Sequence, residues 1–290
     1  MGLCDDVRTS CAAIAASAGS VHIDESRFGH IEPGPPPKLD PERHYLEGST
    51  EDVATYLLTL DTINFGSGWF PTLEKRPGCS GYFTVAWALA DRFRQEGPWS
   101  ADDLRQLKTP AVAAVMGQRA DHPLMYLFAL ALQELGDFLD GRTAVDVVES
   151  ARGSAERLAD ILAAGMPMFD DTGFWKRAQI TPADLALADV AEFTDLDRLT
   201  IFADNLVPHV LRVDGVLVYE PELAEQIDAG VILDPGGEER EIRACAVHAC
   251  EQIAALMDVP PRTLDNWLWN RGQRPEYKAI PRHRCQSTNY

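Results

Sequence analysis

The 290-residue chain has no apolar run approaching the roughly 20 residues needed to cross a bilayer. Its first residues, Met1-Gly-Leu-Cys-Asp-Asp6, also lack the basic-then-apolar order of a secretory signal. Basic residues are scarce: 26 Lys and Arg stand against 45 Asp and Glu, a formal charge of −19 that repels nucleic acid at long range. Intact nucleic acid is therefore not an expected partner. A small phosphorylated molecule is compatible, because a local cluster of cations inside a cleft outweighs the distant field. The six cysteines (Cys4, Cys11, Cys79, Cys245, Cys250 and Cys285) form no C-x-x-C pair and no metal-type spacing with His. Free thiols in a reducing compartment are expected, with no metal. Gly-x-Gly-x-x-Gly, a phosphate loop, H-E-x-x-H and internal repeats are absent as well, and no cofactor is expected. From these absences the expectation is a cytoplasmic protein that meets no membrane and is open to a small-molecule ligand, with its oligomeric state unspecified.

With 46% hydrophobic and 24% charged residues the chain is an ordinary globular protein, one large domain or two fused lobes. Apolar residues recur mainly at helical spacing, which predicts a mostly α fold with at most a few short strands. Residues 1–38 read as an N-terminal helical arm (Asp5 to Ala18) followed by the stiff connector Glu32-Pro-Gly-Pro-Pro-Pro-Lys38, and residues 39–290 as a helical catalytic body. Thr50 with Val53 marks a helix start that Gly66-Ser-Gly68 ends, Gly81 to Gln95 is another helix, and Ser100-Ala-Asp-Asp103 is a capping box. Pro123 to Leu139, Ala144 to Ala164, Pro182 to Phe193, Pro221 to Ala229 and Glu238 to Met257 continue the pattern, with Thr181-Pro182 the clearest start. Arg212 to Tyr219, with its Asp-Gly turn, is the main β-like piece.

One stretch carries more chemical information than the rest. In Leu199-Thr-Ile-Phe-Ala-Asp204-Asn-Leu-Val-Pro-His209-Val-Leu211 an acid and an amide interrupt an apolar run. A carboxylate in apolar surroundings must be hydrogen-bonded, paired or protonated, and active sites use that tension. Asp204 is the leading catalytic candidate; the alternative is a plain cap for the helix ahead of Pro208. Three other regions mix aromatic and polar groups. In Leu60 to Pro71, Phe65 and Trp69 can stack on a flat heterocycle while Asn64 reads its edge, or the rings simply seal the core. Lys176 and Arg177 in Phe174-Trp-Lys-Arg-Ala-Gln179 suit a phosphate or carboxylate, or a solvated helix face. The basic tail Ile280-Pro-Arg-His283-Arg284-Cys-Gln-Ser-Thr-Asn-Tyr290 is either docked or frayed. His209 lies about one helical turn beyond Asp204, within reach of the same ligand.

Taken together, Asp61-Thr-Ile-Asn64-Phe65 with Trp69, Phe174 to Gln179, Leu199 to Asp204, Glu241-Ile-Arg243 and Pro281 to Cys285 resemble the queuosine salvage protein family over about Tyr45 to Tyr290. That resemblance implies a hydrolase that releases the 7-deazaguanine base queuine from queuosine 5'-phosphate, on a helical fold related to the helix-hairpin-helix DNA glycosylases. It implies that Asp204 takes the position of the catalytic Asp before a helix. Thr194-Asp-Leu-Asp-Arg198 departs from the glycine-rich hairpin that grips DNA backbone, which with the acidity favours a nucleotide over DNA.

Ribosyl C–N cleavage passes through a cation-like sugar, so an anion close to C1' lowers the barrier in a water-poor cleft. Asp204 can stabilise that cation, attack it, or align water. The base has carbon where guanine has N7, so protonation at N7 is not open to it. Asn64, Asp195 and Asp197 are candidates for reading the base or its amino-cyclopentenediol arm, whose ammonium favours a carboxylate partner, with Asp197 the alternative catalytic acid. Lys176, Arg177, His283 and Arg284 are the candidate clamp for the 5'-phosphate, and Arg243 is expected to be structural. A carrier that binds without cleaving, and a DNA-repair glycosylase, are the alternatives from other classes.

Overall fold

Capping chemistry decides where most helices begin. The computed structural model of the chain describes residues 2–290. Ser49 with Asp52, Ser100 with Asp103 and Thr143 with Asp146 each form a reciprocal capping box, starting the helices Thr50–Thr62, Ala101–Gln106 and Ala144–Ser150. The first of these starts one residue earlier than the sequence suggests, because Ser49 and not Thr50 has an acid three residues ahead of it. Among the described residues there are fourteen α-helices and four strands of two or three residues, the mostly α class that the periodicity predicts. Val21–Ile23 pairs antiparallel with Leu217–Tyr219, and Ile232–Leu233 pairs parallel with Arg284–Cys285. No helix among the described residues is long and apolar enough to cross a membrane.

Several boundaries differ from the expectation, each for a local reason. Ala144 to Ala164 is two helices, Ala144–Ser150 and Ala155–Gly165, because Arg152 and Gly153 sit at φ 53° and 73°, the left-handed region that ends a helix. Thr181-Pro182 is not a start: the helix Lys176–Leu187 runs through Pro182. It begins instead after Trp175 (φ 54°), where Asp171 Oδ2 accepts the Lys176 N–H at 3.2 Å. Pro182 has no N–H to give Ala178, and the helix tolerates this because it is buried on nearly all sides from Lys176 to Leu185. Asp214-Gly215 joins the helix Leu206–Val213 to a strand whose partner lies almost 200 residues upstream, so it makes no hairpin. The helices Thr109–Met116 and Pro261–Arg271 carry no start signal beyond a proline in the first turn.

The longest helix, Gly237–Met257, runs through the core with Ile242, Cys245, Ala246, Ala249, Cys250 and Ile253 buried. Its small residues let other helices approach closely. The N-terminal helix Leu3–Ser17 lies along it, burying Cys4, Val7 and Cys11, and Arg8 Nε donates to Glu251 at 2.7 Å. Full burial of a Val-sized side chain is worth roughly 1.5–3 kcal/mol, so the arm is held to the body along its inner face. The proline connector then returns across the Pro261–Arg271 helix, where Trp267 Nε1 donates to the Pro35 carbonyl at 2.9 Å. Gly34 has to be a glycine there, since a Cβ would collide with the Trp267 ring. The basic tail is docked: Cys285 and Tyr290 are buried, and the Tyr290 carbonyl accepts the Gly66 N–H at 2.8 Å.

Candidate active site

Residues 199–205 are buried but adopt no helix or strand, apart from Asp204, which is half-buried. Irregular backbone in such a place needs partners for its polar groups, and side chains from three helices supply them. Gln179 Oε1 accepts the Thr200 N–H at 2.9 Å, and Asp265 Oδ1 accepts that of Phe202 at 2.9 Å. Arg243 Nε donates to the Ala203 carbonyl at 2.9 Å. Arg243 is itself fixed by a bidentate pair with Asp171 (2.8 and 2.6 Å) and lies between the rings of Phe174 and Tyr290, 3.9 and 4.6 Å from their centroids. Its role is to hold the segment, as the sequence suggests.

This scaffold sets the direction of Asp204. Its Oδ1 accepts the N–H groups of Leu206 and Val207 at 2.7 and 3.0 Å, capping the helix Leu206–Val213. The cap reading of the residue therefore holds for one of its two carboxyl oxygens. The other has no hydrogen-bond partner among the described residues, and the side chain lines a cavity of about 710 Å³. That volume lies within the roughly 300–1,000 Å³ range of small-molecule sites.

The cavity has an aromatic wall, a charged floor and a proline rim. Tyr82, Phe83 and Trp269 pack edge to face with centroids 5.3 to 5.6 Å apart, and Phe70, Phe202 and Tyr290 complete the wall. Gly81 opens the Gly81–Glu96 helix directly against Phe70, where any Cβ would meet the ring. Pro35 to Pro37 and Lys38 form the rim, with His44 below it, its Nε2 3.0 Å from Tyr82 Oη. The floor is the helix Lys176–Leu187, which turns Lys176, Ile180, Ala183, Asp184 and Leu187 toward the cavity. Lys176 is 4% exposed and its Nζ donates to the Asn64 carbonyl at 3.0 Å. Burial lowers its pKa to about 8, against the pull of Asp204, Asp61 and Asp184.

Other titratable groups around the cavity are displaced too. Burial pushes the Asp184 carboxyl up to about 7, with Lys176 opposing. Burial, and next the charge of Asp204, holds the Asp265 carboxyl well above the usual carboxylate range. Arg282 is a second cavity cation that faces Asp204, and it has no ion pair or hydrogen bond to the described residues. Lys278 lines the cavity beside it, and Lys75 faces both.

The structure brings together Asp204, Asn64, Phe65 and Lys176 of the residues singled out in the sequence. It places the others elsewhere. Asp195 caps the helix Ala155–Gly165, accepting from Ser154 Oγ and the Ala155 N–H, both at 2.6 Å. Asp197 is on the surface and pairs with Arg262 at 2.7 Å, so it does not face the cavity as an alternative acid. Trp69 packs on the core outside the cavity lining. The clamp of Lys176, Arg177, His283 and Arg284 does not assemble. Arg177 is 2% exposed, between the rings of Phe65 and Phe169, and donates to the carbonyls of Thr62, Thr288 and Met168. Arg284 donates to the Gly68 carbonyl at 2.9 Å. His283 is buried with Nε2 3.4 Å from Tyr290 Oη, and His209 donates to the Tyr277 carbonyl at 2.8 Å. The cavity-lining residues that sequence reasoning misses are Asp184, Asp265, Lys278, Arg282 and the Tyr82, Phe83 and Trp269 cluster. Asp184 is legible in principle, as Lys176, Ile180, Asp184 and Leu187 share a helical stripe once the helix starts at Lys176.

A family model described as queuosine salvage protein matches residues 43–290, which is most of the chain. The chain belongs to the queuosine salvage protein family. It is 31% identical to a Sphaerobacter thermophilus protein named queuosine 5'-phosphate N-glycosylase/hydrolase, over 98% of this chain and 97% of that protein. A protein of the same name from Dictyostelium discoideum is 30% identical over 83% of this chain and 79% of its own length. One from Bos taurus is 26% identical over 98% of both. Family membership thus includes the cavity wall and floor, and the Sphaerobacter match extends over the proline rim as well.

Proposed function

We propose that this protein hydrolyses the N-glycosidic bond of queuosine 5'-phosphate and releases queuine for reuse. The family and the names of its relatives support the reaction class. The observation that carries the mechanism is the unpartnered Asp204 oxygen, fixed in a partly aromatic cavity and facing Lys176 and Arg282. In this reading the base stacks on the aromatic wall, C1' lies over Asp204, and the 5'-phosphate meets Arg282 and Lys278. Asp204 offers its charge as the sugar becomes cationic, or takes the proton of the attacking water. Oδ1 is already held by two N–H groups, so little reorganisation accompanies the developing charge.

The test is incubation of the purified protein with queuosine 5'-phosphate and mass detection of free queuine. Asp204→Asn should lower turnover by at least ~10²–10³-fold while changing stability little, because Asn caps a helix about as well as Asp. Tight binding without release by the wild-type protein would make it a carrier.

A further inference from the structure

The departing base needs a proton, and Asp204 is not placed to be both the anion at the sugar and the acid at the base. We infer that Asp184 is the catalytic acid that protonates the leaving 7-deazapurine, an assignment that rests on the glycosidase reading above. Asp184 lines the cavity from the same helix face as Lys176, two turns further along. The Lys176 ammonium faces three carboxyl groups: Asp204, Asp61 and Asp184. The acids Asp204, Asp61, Asp184 and Asp265 outnumber the cations Lys176, Arg177 and Arg282 that face them, and uncompensated buried negative charge is far costlier than a bound proton. Asp204 is the strongest partner of Lys176 and keeps the anionic role. Asp61, on the helix Thr50–Thr62, is 0% exposed with no hydrogen-bond partner for either oxygen, and lies outside the cavity lining. It holds its proton behind the floor. Asp184 touches the cavity and has no hydrogen-bond partner among the described residues, whereas Asp265, the other raised carboxyl in the lining, spends Oδ1 on the Phe202 N–H.

The titratable groups facing Asp184 leave it one cation as counter-charge. Lys176 on its own helix favours ionisation, while Asp61 and Tyr56 on Thr50–Thr62, Tyr82 on Gly81–Glu96 and Asp265 on Pro261–Arg271 offer it no further positive charge. Burial leaves the carboxyl at about 7, close to the value that lets an acid give up a proton at neutral pH and regain it. In the step itself the C1'–N9 bond breaks and its electron pair moves onto the base. The Asp184 proton bonds to N9, or to N3 conjugated with it, and water bonds to C1' and passes its proton to Asp204. Solvent then returns a proton to Asp184 and takes one from Asp204, so the net change is addition of one water.

The experiment compares wild type and Asp184→Asn on two substrates, queuosine 5'-phosphate and 4-nitrophenyl β-ribofuranoside 5-phosphate, whose nitrophenolate leaves without a proton. Asp184→Asn should lower kcat on the nucleotide by ~10²–10⁴-fold with KM within about threefold of wild type, a range too narrow to reflect lost binding energy. Its rate on the nitrophenyl substrate should fall by less than about threefold, since acid catalysis has nothing to add there. In the wild type, kcat on the nucleotide should fall as pH rises through about 7. In Asp184→Asn that limb should vanish. Asp184→Glu should restore part of the nucleotide rate. Equal losses on both substrates, a rise in KM alone, or an unchanged alkaline limb would overturn the assignment. Should the Asn variant not fold, the wild-type pH profiles on the two substrates draw the same distinction. Wild-type protein that fails to release queuine refutes the glycosidase reading itself, and wild-type release with equal losses in Asp184→Asn refutes only the acid.

Discussion

Removal of the Arg282 guanidinium should separate phosphate recognition from catalysis. Arg282 is half-buried, lines the cavity and makes no hydrogen bond or ion pair with the described residues, so its deletion leaves no orphaned partner in the protein. A charge-assisted hydrogen bond contributes about 1.5–3 kcal/mol, which at room temperature is roughly a 10- to 150-fold change in kcat/KM. Coulomb attraction at ~4 Å in an effective dielectric of ~20 is about 4 kcal/mol, an upper limit consistent with that range. Arg282→Ala should therefore lower kcat/KM for queuosine 5'-phosphate by about 10- to 150-fold, on the same footing, and leave queuosine without phosphate within about threefold of its wild-type value. Lys278→Ala, at a more exposed position, should cost nearer 0.5–1 kcal/mol. The assay is queuine release under initial-rate conditions with both substrates at fixed ionic strength. An equal loss on nucleotide and nucleoside would refute the placement, since it would mean that Arg282 serves the sugar or the fold and not the phosphate.

Other consequences follow from the same geometry. Arg243→Met leaves Asp171 as a buried unpaired carboxylate and frees the Ala203 carbonyl, which should destabilise the protein by ~3–5 kcal/mol in urea unfolding; a loss under 1 kcal/mol would show that the segment holds without it. His283 is 1% exposed and its pKa is pushed down to about 3, chiefly by burial and then by Arg243. The unfolded chain therefore binds a proton that the folded chain refuses. Stability should be full above about pH 6.5 and fall as pH drops from there toward about 3, with a slope from this residue of up to ~1.4 kcal/mol per pH unit. His44 and His209, also lowered by burial, act in the same sense. Urea midpoints from pH 8 to 5 measure it, and a curve no flatter for His283→Gln would remove His283 as a source. Transfer RNA added at tenfold molar excess over queuosine 5'-phosphate should not inhibit at physiological salt, and inhibition that salt relieves would show a polyanion site that the net charge of −19 does not suggest.

The sequence makes some of this legible and hides the rest for physical reasons. Asp204 stands out because a charge inside an apolar run is a local signal. The capping box at Ser100 and the exact bounds of Pro123–Leu139 are local signals too. For the proposed phosphate contact the sequence points to the neighbours of Arg282: within Pro281-Arg-His-Arg284 the chain turns Arg282 to the cavity, His283 to Tyr290 and Arg284 to Gly68. Nothing in four consecutive residues specifies that division, which tertiary contacts impose. Asp195 and Asp197 look alike in sequence, and only the fold separates a cap 40 residues away from a surface pair with Arg262. The proline connector reads as a spacer, and its contribution to the cavity rim depends on Trp267, more than 200 residues downstream.

The charge distribution joins these observations. Most of the arginines are engaged: Arg105 with Asp102, Asp137 and Asp140, Arg94 with Glu47 and Asp91, Arg198 with Asp5 and Glu156, and Arg243 with Asp171 and Glu239. Lys176 and Arg282 differ, for each lines the cavity without a close ion pair, and each faces Asp204. In a protein with 19 excess negative charges, a polyanion meets repulsion along its whole length, whereas a nucleotide brings one phosphate to a few free cations at the cavity mouth. Past that point the ligand sits in a partly aromatic space where screening is weak and the remaining charges act at short range. On the function proposed above, acidity outside and unpaired cations inside act as two parts of one filter that favours a single nucleotide over a polyanion.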